Sequence, residues 1–276
     1  MNDKLKLFNF CLINYELFLE RKILIDPSRI HDSRNTTNEE LNYRVRLEEY
    51  YQKSIGSNVE KLENFPKYVP RQSLTKFLAK NELFKKVLNV HGDIIECGVY
   101  LGGGLLSFAQ LSSIYEPMNH KRKIIGFDTF SGFEKLSNED SKSVSALSKP
   151  GEFAVDSYED LKQCIQLYNS NRFLNQISKI IIIKGNITNS LPIYIENNPH
   201  TIVSLLYLDA DVFEPTKIAL SQLVPRIPKG GIIAFDELND PAWPGETLAV
   251  LKTIGIDNIR IQRFQFEPNI SYAVME

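Results

Sequence analysis

A doubly wound α/β fold with a mostly parallel sheet, preceded by a helical extension, is the fold class this sequence predicts. Three observations carry it. From Asp93 onward, short continuous apolar runs alternate with segments of helical period, as successive βαβ units require. The first run ends in a glycine-rich turn, Gly98-Val99-Tyr100-Leu101-Gly102-Gly103-Gly104, that leads straight into a helical pattern. Glycines at such a junction let a ligand approach the backbone, and the helix N-terminus offers unpaired N–H groups. Finally, the chain closes on two β-like runs split by Glu267-Pro268-Asn269-Ile270, a terminal hairpin that ends the sheet with an antiparallel strand.

Taken in order, residues 1–70 read as an extension and 71–276 as the main domain. The first apolar segment (Leu5, Leu7, Phe8, Phe10, Leu12, Ile13) is broken by Lys4, Lys6, Asn9, Asn14 and Glu16, so it is neither a signal-peptide core nor a membrane span. A polar stretch over 31–40 precedes a charged helical pattern over 41–53. Pro66 and Pro70 punctuate the entry to a helix over 73–90, whose apolar positions include Leu74, Phe77, Leu83, Phe84 and Val87. Strands are expected at 94–99, 123–128, 180–184, 202–209 and 231–236, several of them apolar throughout, as strands buried on both faces should be. Helices are expected at 103–114, 157–168, 215–223 and 244–254, two with proline in the first turn, where its missing N–H does no harm. The hairpin pairs 259–266 with 271–275, giving seven strands in all.

Composition limits the function classes. Hydrophobic residues at 43% supply a full core, and a net charge of −2 speaks against a dedicated nucleic-acid binder, which needs a basic excess. Three well-separated cysteines, Cys11, Cys97 and Cys164, lack metal-ligand spacing and point to a reduced, cytoplasmic compartment.

In an open α/β sheet, ligands bind outside the carboxyl ends of the strands. Those ends are Glu96, Asp128, Gly185-Asn186, Asp209 and Asp236-Glu237. An isolated strand-end acid serves about as often to cap a helix or bond loop amides, but clustering on one rim favours a ligand. The glycine spacing is not G-x-G-x-x-G, and Glu96 inside the strand end would repel a pyrophosphate. It would welcome the ammonium of an amino-acid-like cofactor such as S-adenosylmethionine. Asp128 is placed to accept ribose hydroxyl hydrogens. Asp209, Asp236 and Glu237 end adjacent strands and offer the oxygen ligands that Mg²⁺ prefers. Asp211 and Glu214 flank a helix start and suit a dipole role. Cys97 reads as a small buried hydrophobe, and Tyr100 and Phe130 either flank the cofactor or pack in the core. The four histidines are scattered away from the acidic strand ends, and no nucleophile elbow, P-loop or H-E-x-x-H is present.

Four ordered motifs, Glu96–Gly103, Phe127-Asp128-Thr129-Phe130-Ser131-Gly132-Phe133, Leu208-Asp209-Ala210-Asp211 and Phe235-Asp236-Glu237, resemble the macrocin/mycinamicin O-methyltransferase family. The resemblance runs from about Arg71 to the C-terminus. It implies a Rossmann-like class I methyltransferase that methylates a sugar hydroxyl with S-adenosylmethionine and Mg²⁺. By that resemblance Glu96, Gly98, Tyr100, Gly102 and Gly103 line the methionine end of the cofactor, Asp128 holds the ribose, and Phe130 and Gly185-Asn186 lie near the adenine. The metal falls to Asp209, Asp236 and Glu237, with Asp209 also the candidate base and close to the cofactor. The Asp236-Glu237 pair departs from the Asp-Asp of better-known members. The extension is expected to close over the site and form homo-oligomers. Two rivals stand beside this reading: a nicotinamide-dependent oxidoreductase, against which the missing fingerprint and terminal hairpin count, and a non-catalytic cofactor-binding assembly protein.

Overall fold

A computed structural model describes residues 37–276. The apolar N-terminal segment, Cys11 and His31 lie outside the described residues. The chain divides after Tyr68 into two compact units.

In the first unit, α1 (Asn38–Lys53) and α2 (Asn58–Glu63) each begin with a capping box. Thr37 exchanges hydrogen bonds with Glu40, and Ser57 with Glu60, so each side chain satisfies a backbone N–H that the helix start leaves unpaired.

The second unit opens with α3 (Arg71–Val87), and its sheet follows: β1 (Asp93–Cys97), β2 (Ile124–Asp128), β3 (Ile180–Lys184), β4 (Val203–Leu208), β5 (Ile232–Phe235), β6 (Ile261–Arg263) and β7 (Ser271–Val274). Strand order is β3-β2-β1-β4-β5-β7-β6; the first five strands pair in parallel, and β7 lies antiparallel between β5 and β6. Every expected strand is present, most of them a residue or two shorter. The remaining helices are α4 (Gly103–Tyr115), α5 (Tyr158–Ser170), α6 (Ile187–Asn197), α7 (Phe213–Leu223) and α8 (Pro244–Thr253). The sequence reading missed α6, because Asn189, Asn197 and the internal Pro192 are poor helix formers. Asn186 nucleates it as an N-cap, accepting from Thr188 N at 3.0 Å.

Alternation of side chains along the buried strands splits the core into two layers. Ile94, Ile124, Leu205, Tyr207 and Ile232 pack with Leu83, Phe84 and Val87 of α3 and with Leu105 and Phe108 of α4. On the opposite face, Ile95, Ile125, Leu206 and Ile233 pack with residues of α6, α7 and α8. Cys97 belongs to this second layer and is fully buried, a small hydrophobe as expected.

Candidate active site

Hydrogen bonding past the strand ends stitches the expected site residues into one rim. Gly98 N donates to Phe127 O at 2.9 Å, Asp209 N to Cys97 O at 2.8 Å, Asp236 N to Leu208 O at 3.1 Å, and Gly185 N to Asp128 O at 2.8 Å. The parallel ladder thus runs one residue beyond each strand and fixes Gly98, Asp209, Asp236 and Gly185 side by side at the carboxyl edge. Gly98 has a φ of +96°, and a β-carbon there would lie 1.9 Å from Asp209 O. Only glycine permits that approach.

Glu96 is 1% exposed, and its Oε2 has no hydrogen-bond partner. Burial pushes its carboxyl well above the usual range, with the Lys80 charge opposing and Asp209, Asp236 and Asp128 reinforcing the rise. Above it, Gly102 in a left-handed conformation (φ +86°) opens α4 without a side-chain cap, leaving the first-turn N–H groups available at Gly103 and beyond.

Asp128 stands at the rim but is already engaged. Its Oδ2 accepts from Val99 N (2.7 Å) and Tyr100 N (2.8 Å), and its Oδ1 from Phe130 N (2.6 Å). A carboxylate has about four acceptor positions, so one remains for a ligand hydroxyl. Tyr100 and Phe130 both hold left-handed backbone, at φ +51° and +55°, and these hydrogen bonds offset that strain. Their side chains differ: Tyr100 is 39% exposed, whereas Phe130 is 3% exposed and packs on Tyr158 in the core. Of the two readings held for Phe130, the structure supports core packing. Asn186 caps α6 and donates to Glu134 at 2.7 Å.

At the ends of β4 and β5 five acids gather: Asp209, Asp211, Asp236, Glu237 and Glu246. Two bonds hold Asp236, one from Lys76 Nζ to Oδ2 (2.8 Å) and one from the Tyr207 hydroxyl to Oδ1 (2.6 Å). Burial disfavours its charge, yet Lys76, Lys80 and these two bonds hold it down at about 2. Its neighbours move the other way. Burial and the Asp236 charge push Asp209 up to about 6 and Glu237 up to about 11; burial, then Asp209, raises Asp211 well above its ordinary value. Glu246, fully buried, accepts from Glu237 N at 3.0 Å while its Oε2 finds no partner. Asp211, in left-handed backbone at φ +60°, sits just before Val212, the N-cap of α7, and Glu214 lies in that helix's first turn, so both flank the helix start as expected while Asp211 also feels the buried acids beside it.

Sequence reasoning missed Lys76, Lys80, Tyr207 and Glu246. A signal was present for the lysines: 76, 80, 83 and 87 lie at i, i+4, i+7 and i+11 on α3, so both share the stripe of buried Leu83 and Val87. For the metal, the donors are all hard oxygens in negative excess and Glu246 Oε2 is orphaned, which suits a divalent cation. Against a preformed cage, Lys76 already occupies Asp236 Oδ2, and among the described residues no three acidic, histidine or cysteine side chains are grouped as a metal site. His91, His120 and His200 precede β1, β2 and β4, at the opposite end of the sheet.

Comparison with known proteins gives a consistent picture. The profile of the macrocin O-methyltransferase (TylF) family matches residues 71–251. Calicheamicin methyltransferase CalS11 superposes with a TM-score of 0.83 and 34% identity, covering 87% of this chain and 93% of its own. The apo form of CalS11, described as a TDP-rhamnose 3'-O-methyltransferase of calicheamicin biosynthesis, gives 0.75 and 32% over 87% of this chain and 95% of its own. The O-methyltransferase NovP, at 18% identity and a TM-score of 0.57 over 72% of this chain and 79% of its own, shares the fold. No curated protein matches.

Proposed function

The chain belongs to the macrocin O-methyltransferase family and is an S-adenosylmethionine-dependent O-methyltransferase, and from that premise we propose that it methylates a sugar hydroxyl with the help of Mg²⁺. Membership sets aside the nicotinamide alternative. The observation that carries the finer reading is the acid cluster at the ends of β4 and β5, next to the rim that bears Glu96 and Asp128. The sugar acceptor is supported by CalS11, whose described substrate is TDP-rhamnose.

The methyl carbon of a sulfonium is already electrophilic, so the protein's task is to orient an acceptor oxygen in line with it and to receive a proton. Asp209 does the second. Without a metal its pKa of about 6 keeps it ionised at neutral pH yet more basic than an ordinary aspartate, and a cation bound to it would reduce that basicity. Asp128 fixes the glycine turn by two N–H bonds, from Val99 and Tyr100, and its own following loop by a third, from Phe130, and keeps one acceptor position for the ribose. Asp209, Asp236 and Glu237 are the residues to hold the metal, with Lys76 sharing Asp236. Such an ion, when bound, lowers the pKa of an acceptor hydroxyl. The same proposal takes the enzyme to be a homo-oligomer in a reduced compartment. No described helix is long and apolar enough to cross a membrane.

The test is methyl transfer from labelled S-adenosylmethionine to a panel of nucleotide-linked and free sugars. Transfer should vanish in chelator, return with Mg²⁺, and stay impaired in Asp209→Asn with excess metal. Full transfer in chelator removes the metal and leaves Asp209 as a base alone. No transfer to any sugar, with cofactor bound, favours the non-catalytic reading.

A further inference from the structure

At the amino edge of the sheet, opposite the acid rim, a solvent-open cavity of about 450 Å³ lies between the C-terminal ends of α4 and α5 and the residue that leads into β3. Its titratable lining is Glu116, His120, Tyr168, Arg172 and Lys179. Lys179 is only 5% exposed, and lysines are rarely buried. Its amine donates to Asn119 O at 2.8 Å, while Glu116 Oε1 stands 3.9 Å away. That carboxylate is already held by Arg122 Nε (2.9 Å), Ser112 Oγ (2.8 Å) and Asn119 Nδ2 (2.7 Å). Arg172 spends its N–H groups on neutral oxygens, Asn169 Oδ1 and the carbonyls of Phe173, Leu174 and Ile177. Lys123 adds a further cation, donating to Ser178 O at 2.5 Å.

Lys179 therefore shares this corner with three cations, Arg122, Lys123 and Arg172, and one committed acid. Burial above all pushes its amine down to about 8; Glu116 opposes the fall and the three cations add to it. An amine in such a place is deprotonated often enough near neutral pH to act as a nucleophile. We propose that Lys179 is a carbamate site, whose neutral amine adds carbon dioxide and whose product carboxylate is stabilised by Arg122, Lys123 and Arg172. The nitrogen lone pair forms the N–C bond, one C=O π bond opens to give the carboxylate, and one proton leaves the nitrogen for water. One N–H survives to keep the bond to Asn119 O. The step turns a cation that its surroundings disfavour into an anion that they favour. Acylation would leave a neutral amide and methylation a cation, so neither supplies the missing negative charge. A small electrophile is also what so buried an amine admits.

The site is independent of the cofactor, the acceptor sugar and the metal. To test it, the full chain is equilibrated with isotopically labelled carbon dioxide, carbamates are trapped as ethyl esters with a triethyloxonium salt, and the esters are mapped by peptide mass spectrometry. Lys85 and Lys162 serve as controls in the same chain, since hydrogen bonds from their ammonium groups to Glu82 and Glu159 hold them protonated. Lys179 should carry at least about tenfold more labelled ester than either, because a lysine near 8 is deprotonated roughly a hundred times more often at neutral pH than an ordinary one. Lys179→Arg should remove that ester, and Arg172→Gln should lower it severalfold with Lys179 in place. Unchanged ester in a folded Arg172→Gln protein would show that the cations do not stabilise the product and would overturn the proposal. So would equal ester on all three lysines, or none on Lys179, in the wild type, where no variant need fold. A bicarbonate ion held without a covalent bond gives no ester and counts against the proposal.

Discussion

At the scale of single residues, neighbouring aspartates at this rim have opposite effects on stability. Asp236 has a folded pKa near 2, below its ordinary value of 3.8, because Lys76 and Tyr207 favour its charged form despite burial. Its contribution is complete above about pH 4 and is lost as pH falls through about 2. Asp236→Asn should therefore cost about 2 kcal/mol at pH 7 and little near pH 2, as read by urea unfolding. An equal loss at both pH values would mean that the ion pair contributes nothing. Asp209 runs the other way. Its folded pKa of about 6 exceeds the unfolded value, so its charge destabilises the fold increasingly from about pH 4 to pH 6 and fully above. Asp209→Asn should stabilise the protein at pH 7 by about 1 kcal/mol or more while impairing methyl transfer. A destabilised Asn variant would refute this assignment of cost to function. Asp128 couples binding to local order. Asp128→Ala releases three N–H bonds as well as the ribose position, so cofactor affinity should fall about tenfold to a hundredfold and the melting temperature should drop with it.

At the scale of elements, the turn between β1 and α4 is where local sequence and tertiary contact meet most tightly. Gly98→Ala places a β-carbon 1.9 Å from Asp209 O at a φ that side chains rarely adopt. Relief requires β1 and β4 to separate at their carboxyl ends, exactly where the cofactor and acid clusters adjoin. The variant should lose about 2 kcal/mol or more of stability together with cofactor binding. By contrast, a β-carbon on Gly103 meets no protein atom within 4 Å, so Gly103→Ala should melt nearly as the wild type does, and any loss of binding there would come from contact with the cofactor itself. Matched thermal melts and titrations of the pair separate steric need from mere glycine composition. If both variants behave alike, the close approach is not what selects glycine.

For the whole molecule, the entire sheet and every rim residue lie within 69–276. A chain beginning at Val69 should fold, bind S-adenosylhomocysteine with near-native affinity, and lose methyl transfer, since the extension is proposed to close over the acceptor and exclude water. Normal transfer by the truncated protein, at unchanged mass by light scattering, would reduce the extension to a tail.

The sequence by itself determined the strand order's raw material and the rim. A continuous apolar run such as Val203–Leu208 announces a strand buried on both faces, whereas the similar run Ile180–Lys184 is a half-buried edge strand, and because ligands gather at the carboxyl ends of parallel strands, Glu96, Asp128, Asp209, Asp236 and Glu237 were legible as one group. Local periodicity cannot show which charges a fold brings together from distant segments. Lys76 meets Asp236 across 160 positions of sequence, and Lys80 reaches the Tyr207 ring from a helix that looks like an ordinary amphipathic one. Tertiary structure alone decided that Asp128 is tied up by three backbone N–H groups, that Asp211 beside the start of α7 also feels the buried acids of neighbouring strand ends, and that Phe130 is core. Each of these depends on desolvation and on the identity of a neighbour supplied by another element, quantities that arise only when the sheet closes.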